Sequence, residues 1–465
     1  SGDLPIMLVR VLDDTKGQLL PAAIQAHQWW KRRGLRVDLV IVREGTSGYQ
    51  EPIREDLFAA LRDAGNADGL GGPGGVHLIS ADQLGPPERK ALEAAARLSL
   101  NGAVHALADA MAEPQPARTA PPRFQPVGAP PVPASGAALT RPTDLAFDNG
   151  HGGFAPDGDY VIHLEGGHRT PAPWCNVLAN ETFGSIVSEA GLGFSWCVNS
   201  GEHRLTPWSN DPLLDPQTEA LYLRDEETAE IWTPTPLPAG GSAACQIRHG
   251  PGVTSWQRNG EGLEQHLTVF VPPDAAVKLA LLSLSNPGDR GRRVTATYYA
   301  EWLLGALASA ARPHVVCGYD AESHAMVARN GWNPEFGDRV GFLAASRPPH
   351  SLTCDRAAFL GRPGDPAQPA GLTAWSLDGT LEGAADPCAA FQVHIDLAPG
   401  ATEEVVFVLG EGCDHAEAAR LAVHWSDVGR AKQALAANRT VWQERLGGVT
   451  VRTPDPGFDL MVNRW

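Results

Sequence analysis

A mostly β protein is predicted, built on a large antiparallel sandwich with a small α/β unit before it and helices after it. Three observations carry this expectation. From residue 144 to about 412, short apolar or alternating segments recur between Gly, Pro, Asn and Asp, as many antiparallel strands joined by turns require. Ahead of them, residues 1–112 alternate β runs with helical spacing, the pattern of a small parallel sheet. Between the two, residues 113–143 are dominated by proline and alanine. Such a stretch buries too little to offset chain entropy and reads as an extended linker.

Within 1–112, PIMLVRV (5–11) is a short apolar run. Residues 17–33 show helical spacing, with Gly34 placed to cap the end. Trp29 and Trp30 stand beside Lys31, Arg32 and Arg33, a basic helix end of the kind a helix dipole favours. LRVDLVIV (35–42) is a β run, residues 53–64 are amphipathic, and VHLIS (76–80) is a short strand. Pro86 and Pro87 open a helix expected to reach about Ala112. The glycines of GLGGPGG precede a strand, whereas a dinucleotide loop follows one, so they read as a plain loop.

In the sandwich region the expected strands include DYVIHLE, FGSIVS, ALYLRD, EIWTPT, LEQHLTVFV, VKLALLSLSN, RVTATYYAEWLL, HAMVARN, VGFLAAS, AFQVHIDL and EEVVFVLG. Residues 414–446 turn helical, and Gly447 and Gly448 stop them. FDLMVNRW then begins another helix, and its pattern stops partway at Trp465.

Composition bounds the chemistry. The 465 residues are 43% hydrophobic and 20% charged, an ordinary globular balance with room for several domains. Net charge is -17; residues 1–150 hold 15 basic and 17 acidic side chains, so the remainder carries -15. Such a surface repels phosphate backbones and anionic lipid. Nucleic acid and direct membrane contact are not expected, and neutral ligands such as sugars remain. Seven cysteines at wide spacing form no CxxC, so neither a disulfide scaffold nor a zinc site is expected. With no signal-like start and no apolar run near the ~20 residues of a bilayer span, a cytoplasmic location is expected.

The segment 171–232 holds the chemistry. Trp174, Trp196, Trp208 and Trp232 stand among Asn176, Asn180, Asn199, Arg204, Asn210, Asp211 and Asp215. Sugars offer apolar ring faces with hydroxyls around the rim; aromatic faces suit the first, and Asn, Asp and Arg the second. The competing explanation is that the tryptophans fill a core and the polar groups cap turns. Glu226, Glu227 and Glu230, with Asp211 and Asp215, are the acids that could pair for catalysis, but a DEETAE turn is usually solvated. His163 and His168 make too weak a spacing for a metal site.

FDNGHGGF (147–154), TPAPWCNVLANETFGSIVSEAGLGFSW (170–196), GEHRLTPWSNDPLLDP (201–216), ALYLRDEETAEIWTPTPLP (220–238), YYAEWLLG (298–305), ARNGWNPEFGDRVGF (328–342) and VRTPDPGFDLMVNRW (451–465) resemble glycoside hydrolase family 94. These are inverting β-glucoside phosphorylases, and the pieces are most similar to the C-terminal region of bacterial cyclic β-1,2-glucan synthases. The likeness runs from about Asp148 to the last residue, and residues 4–60 also resemble the segment before that module. Cys175, Cys197 and His203 depart from the pattern.

The resemblance implies a galactose-mutarotase-like β-supersandwich over 144–412, then a helical linker over 413–465 leading into an (α/α)6-barrel. In the family the general acid and the site for phosphate, the co-substrate, lie in that barrel. The sandwich is then expected to be non-catalytic, needing no cofactor or metal, and to form one wall of a cleft for β-1,2-glucan or a β-glucooligosaccharide. Trp174, Asn176, Arg204, Trp208, Asn210 and Asp211 are the expected sugar-facing residues. A stand-alone glucan-binding module, or a structural buttress or homodimer contact for the barrel, are the alternatives. The resemblance also implies a parent attached to the inner membrane through other segments.

Overall fold

The computed structural model describes residues 3–12, 19–44, 70–102, 107, 120–126, 138–361 and 364–464. The amphipathic stretch 53–64 and most of the proline-rich stretch lie outside them. The chain forms two compact units, Ser1–Thr119 and Ala120–Trp465.

The first unit runs β1 (Ile6–Leu12), α1 (Leu19–Arg32), β2 (Asp38–Glu44), β3 (Val76–Ser80), α2 (Pro86–Ala95) and β4 (Ala96–Asn101). Its sheet has the order β3-β2-β1-β4, with every pair parallel. Met7, Val9, Leu39 and Ile41 pack against Leu19, Ala23 and Ile24 of α1. Ile6, Leu8, Val40 and Val42 pack on the other face, with Leu92 of α2. Both faces are thus covered, as a parallel sheet demands. Trp29 remains 56% exposed, with the Arg33 guanidinium 4.9 Å from its ring centre.

The helix expected to reach Ala112 instead ends at Ala95. Ala96 turns extended (φ -68°, ψ 128°), and the next residues pair in parallel with β1. The residues of ARLSL have good helix propensity, but β1 would otherwise present an unpaired edge, and Leu100 finds a buried place on the sheet.

The second unit contains β5 (Gly152–Phe154), β6 (Tyr160–Leu164), β7 (Cys175–Ala179), β8 (Phe183–Ser188), β9 (Gly191–Cys197), β10 (Glu219–Asp225), β11 (Ile231–Trp232), β12 (Cys245–Gly250), β13 (Val253–Gly260), β14 (Leu263–Phe270), β15 (Val277–Ser285) and β16 (Arg292–Glu301). After the short helix α3 (Ala308–Ala311) come β17 (Val315–Asp320), β18 (Ala325–Asn330), β19 (Val340–Ala345), β20 (Ser351–Asp355), α4 (Arg356–Leu360), β21 (Pro387–Leu397) and β22 (Thr402–Gly412). Helices α5 (His415–Trp425), α6 (Val428–Gly447) and α7 (Pro456–Arg464) follow. The strands form a ten-stranded sheet, β17-β18-β19-β22-β15-β14-β13-β12-β6-β5, a five-stranded sheet, β11-β10-β16-β21-β20, and a meander, β7-β8-β9.

Alternation builds the core. Ala280, Leu282 and Leu284 of β15, with Val405, Phe407 and Leu409 of β22, face Val294, Ala296 and Tyr298 of β16 and Phe391, Val393 and Ile395 of β21. The intervening residues of the large sheet, such as Leu279, Leu281, Val406 and Val408, are covered by Ala418, Leu421, Ala422 and Trp425 of α5. Part of the proline-rich stretch is pinned to this unit. Phe124 N–H donates to the Thr373 carbonyl and Trp375 N–H to that of Pro122, each at 2.9 Å. The Phe124 ring stacks on Trp375, with the Arg224 guanidinium on its face.

One buried ion pair joins the three sheets. The Lys278 ammonium of β15, fully buried, donates to Glu219 Oε2 of β10 (2.9 Å), Ser185 Oγ of β8 (3.0 Å) and the Leu192 carbonyl of β9 (2.7 Å). Glu219 also accepts from Thr206 Oγ1 (2.8 Å) and from the Tyr298 hydroxyl of β16 (2.9 Å). Burial pushes the Lys278 pKa down, and the Glu219 carboxylate opposes the shift. Glu219→Gln removes the counter-charge of a dry ammonium and is expected to cost about 3–5 kcal/mol. Denaturant unfolding followed by tryptophan fluorescence measures this; a loss below about 1 kcal/mol, the size of an exposed pair, would refute it.

Candidate functional site

The register of the meander sorts its side chains. Val177, Ile186 and Phe194 form one cross-strand row, and Ala179, Gly184 and Trp196 the next, all on one face. The opposite face carries Leu178, Ser185, Val187 and Leu192, which are buried. The outward face stays partly open, with Val177 52% exposed.

After β9 the chain reverses at Asn199, whose side-chain oxygen accepts the N–H groups of Gly201 and Glu202. This brings Arg204 opposite Trp196 in an antiparallel bridge, on the same outward face. Arg204 Nε donates to the Ser200 carbonyl at 2.8 Å. Trp196 can lie across the sheet only because residue 184 is glycine: a Cβ there would sit 2.2 Å from Trp196 Cζ2.

Trp208 covers Phe194, the rings 5.2 Å apart and 12° from parallel. Phe194 also contacts Trp196 at 5.7 Å. Trp208 is 46% exposed, so one indole face is supported and part of the other is open. Next to it Asn210 adopts a left-handed backbone (φ 52°), which asparagine tolerates. Asp211 accepts the N–H groups of Leu214 and Leu213, and these bonds hold its carboxyl below the usual range. The structure thus brings Arg204 and Trp208 to the Phe194–Trp196 part of the meander, whereas the Asp211 carbonyl accepts the Asp215 N–H and Asp215 is bonded to Ser188 toward the Cys175 end.

Trp174 and Asn176 lie at the Cys175 end of the meander and are engaged in support. Trp174 packs edge-on against Tyr160 and His151. Its N–H donates to Glu189 Oε2 (2.7 Å), and its carbonyl lies 3.1 Å from His249 Nε2. A carbonyl can only accept, so Nε2 carries the proton and Nδ1 accepts from the Thr254 hydroxyl at 2.9 Å. Asn176, buried, directs its amide nitrogen to Thr254 Oγ1 and to the carbonyls of Gly250 and Val253. These bonds tie β7 to β12 and β13. Trp232 is a core residue, its indole N–H donating to Gln265.

Phe194, buried beneath Trp208, and the half-buried Trp196 lying over Gly184 form the base of the aromatic cluster, and of these only Trp196 stands out in the sequence. The Phe194-x-Trp196 spacing was a usable signal for two rings on one side of a strand. The role of Gly184 needs the strand register. Within the DEETAE turn, Glu226 Oε1 accepts from Arg224 and Thr295 and Asp225 Oδ2 from Arg292, and Glu227 lies 3.7 Å from Arg290. Burial raises the Asp215 and Glu189 carboxyls, but each is bonded, to Ser188 and to Thr170 with Trp174 N–H. Among the described residues no cluster of His, Cys, Asp and Glu is arranged to hold a metal, and no helix is long and apolar enough to cross a membrane. What the outward face offers is stacking and hydrogen bonding.

Burial pushes His249 down to about 4, against 6.5 for a free imidazole. The folded state therefore binds this proton less readily than the unfolded chain. Stability from this group is complete above pH 6.5 and drains away as pH falls toward 4. Between about pH 7 and pH 4.5 the loss should be roughly 2–3 kcal/mol. His249→Gln should flatten the pH dependence by that amount in unfolding curves taken at both ends; an unchanged slope would rule the mechanism out.

Comparison with known proteins fits this architecture. The sequence profile of the glycosyl hydrolase 94 supersandwich domain matches residues 158–428. The whole chain aligns at 32% identity with the cyclic β-(1,2)-glucan synthase NdvB of Rhizobium meliloti (strain 1021), covering 17% of that protein. The N,N'-diacetylchitobiose phosphorylase of Vibrio proteolyticus is 27% identical over 63% of this chain and 38% of its own length. The chain thus spans well under half of either relative. A crystal structure of a putative aldose 1-epimerase from Escherichia coli K12 superposes on 52% of this chain and 99% of its own, at 9% identity and a TM-score of 0.33. With the supersandwich profile spanning more than half of its residues, the chain belongs to glycosyl hydrolase family 94.

Proposed function

We propose that this chain is a non-catalytic part of a larger glucan-processing enzyme and forms one wall of its glucan cleft. The observation that carries the proposal is the supported but open indole of Trp208, stacked on Phe194 beside Trp196, with Arg204 opposite Trp196 and Asn210 and Asp211 following Trp208 in the chain. A pyranose ring places its C–H face on such an indole while its hydroxyls reach the polar rim. The glucan synthase and phosphorylase relatives make β-linked glucans the ligands to test first. The general acid that attack by phosphate, co-substrate of the phosphorylases, requires would come from another part of the enzyme, because the nearby acids Asp211 and Asp215 are held in structural bonds. Trp174 and Asn176 act here as supports that fix the position of β7.

A second reading makes the chain a buttress for an (α/α)6-barrel. Helix α7 favours it, since Phe458, Met461 and Val462 are 53%, 60% and 43% exposed and would gain from a partner.

Isothermal titration with β-1,2-glucooligosaccharides separates the two. Millimolar or tighter binding is expected, weakened about tenfold by Trp208→Ala. Gly184→Val, which forces Trp196 off the sheet, should weaken it too while the circular dichroism spectrum is kept. No heat from the unaltered chain would leave only the buttress. Glucose 1-phosphate release from β-1,2-glucan and phosphate should be absent; sustained turnover would contradict a non-catalytic role.

A further inference from the structure

A second site lies outside the meander. At the β5–β6 corner a cavity of about 550 Å³ is lined by Arg141, His151, His163, Glu165, His168 and Arg169, among others. Ile162 and Leu164 take the core side of β6, so His163 points to the opposite side. Its side chain is only 2% exposed, and its Nδ1 has no hydrogen-bond partner among the described residues. Its Nε2 lies 3.4 Å from Glu165 Oε1, with no hydrogen bond formed, and Glu165 is itself 69% exposed at the rim. Arg141 pairs with Asp148 through Nη2, yet its buried Nε also lacks a partner. Arg169 is exposed and makes no hydrogen bond or ion pair among the described residues, though its charge helps hold down the Asp215 carboxyl.

Buried donors left unbonded cost free energy and mark a place where an acceptor belongs. Arg141 is already paired with Asp148, but its buried Nε has no acceptor, Arg169 has no ion-pair partner among the described residues, and only the exposed Glu165 carboxylate stands at the rim, so the group that completes the site is an anion. Guanidinium forks match the oxygens of phosphate. A metal ion fits badly, because the imidazoles do not converge and the arginines would repel it. The volume lies within the small-ligand range and exceeds what a bare oxyanion fills. His151, one wall, also contacts the Trp174 ring edge-to-face.

We propose that this cavity binds a phosphorylated saccharide, its phosphate held by Arg169, Arg141 and His163. The saccharide half of this ligand rests on the glycan reading above; the phosphate half does not. Titration of the chain with inorganic phosphate, glucose 6-phosphate and glucose tests it. Glucose 6-phosphate should bind saturably, inorganic phosphate more weakly, and glucose not at all. Arg169→Ala alters an exposed side chain, so the fold is kept, and it should weaken both phosphate ligands about tenfold. His163→Gln should do the same if it folds, and Trp208→Ala should leave both unchanged. No saturable phosphate binding, or binding indifferent to Arg169→Ala, overturns the proposal. Equal affinity for phosphate and glucose 6-phosphate overturns its saccharide half alone. Loss of both phosphate ligands in Trp208→Ala would assign the binding to the meander instead.

Discussion

The architecture turns on one charged pair placed where charge is least welcome. Lys278 and Glu219 are both fully buried at the junction of the three sheets. Removing two ions from water is costly, and their attraction offsets this only when the remaining donors and acceptors are bonded. Here they are: Ser185, Leu192, Thr206 and Tyr298 complete the shell. Such a node tolerates one arrangement of its contributors. A meander slid by two residues would bring another side chain to Ser185's place and leave the ammonium short of a partner.

That constraint reaches the outward face through the pleat. Ser185 points inward to the ion pair, so its strand neighbours Gly184 and Ile186, and Trp196 and Phe194 paired across from them, point outward. The aromatic face is thus the complement of the buried node, and its orientation is set from below. The strand residues of that face, Phe194 and Trp196, are positioned by the sheet itself, and the loop that carries Trp208 is laid onto them by ring stacking.

Much of this was readable beforehand because period-two patterning survives in isolated sequence. Segments such as VKLALLSLS and FQVHIDL read as strands, and the helices after residue 414 as helices, because their apolar spacing mirrors their burial. The same tools overran α2, since nothing local in ARLSL announces that β1 needs a second neighbour. They could not separate Trp208 from Trp232, one on the surface and one in the core, because both sit among turn residues and the difference arises from pairing. Asn176 looked like a sugar ligand by type, but its partners lie more than 70 residues away. Phe124 was hidden in a proline-rich stretch whose composition says extended and is silent about what it leans on. The cationic corner draws on residues from 141 to 169 that only become neighbours once β5 and β6 form their hairpin.

The thiols carry a practical consequence. Cys245, Cys317, Cys354, Cys388 and Cys197 are buried, leaving Cys175 and Cys413 as the accessible sulfurs. Cys175 stands on β7 two residues from Val177, on the outward face and at the end of the meander remote from Trp196. Although the residue is exposed, surrounding protein still screens its sulfur in part from water, and this, with help from Asp215 and Glu189, pushes its pKa up to about 11, so only roughly one molecule in ten thousand is a thiolate at neutral pH. Alkylating reagents will therefore work slowly there unless the solution is made alkaline. That slowness makes the sulfur a footprinting clock: an oligosaccharide confined to the Trp196–Trp208 end leaves its labelling rate untouched, whereas a protein domain laid over the whole meander shields it.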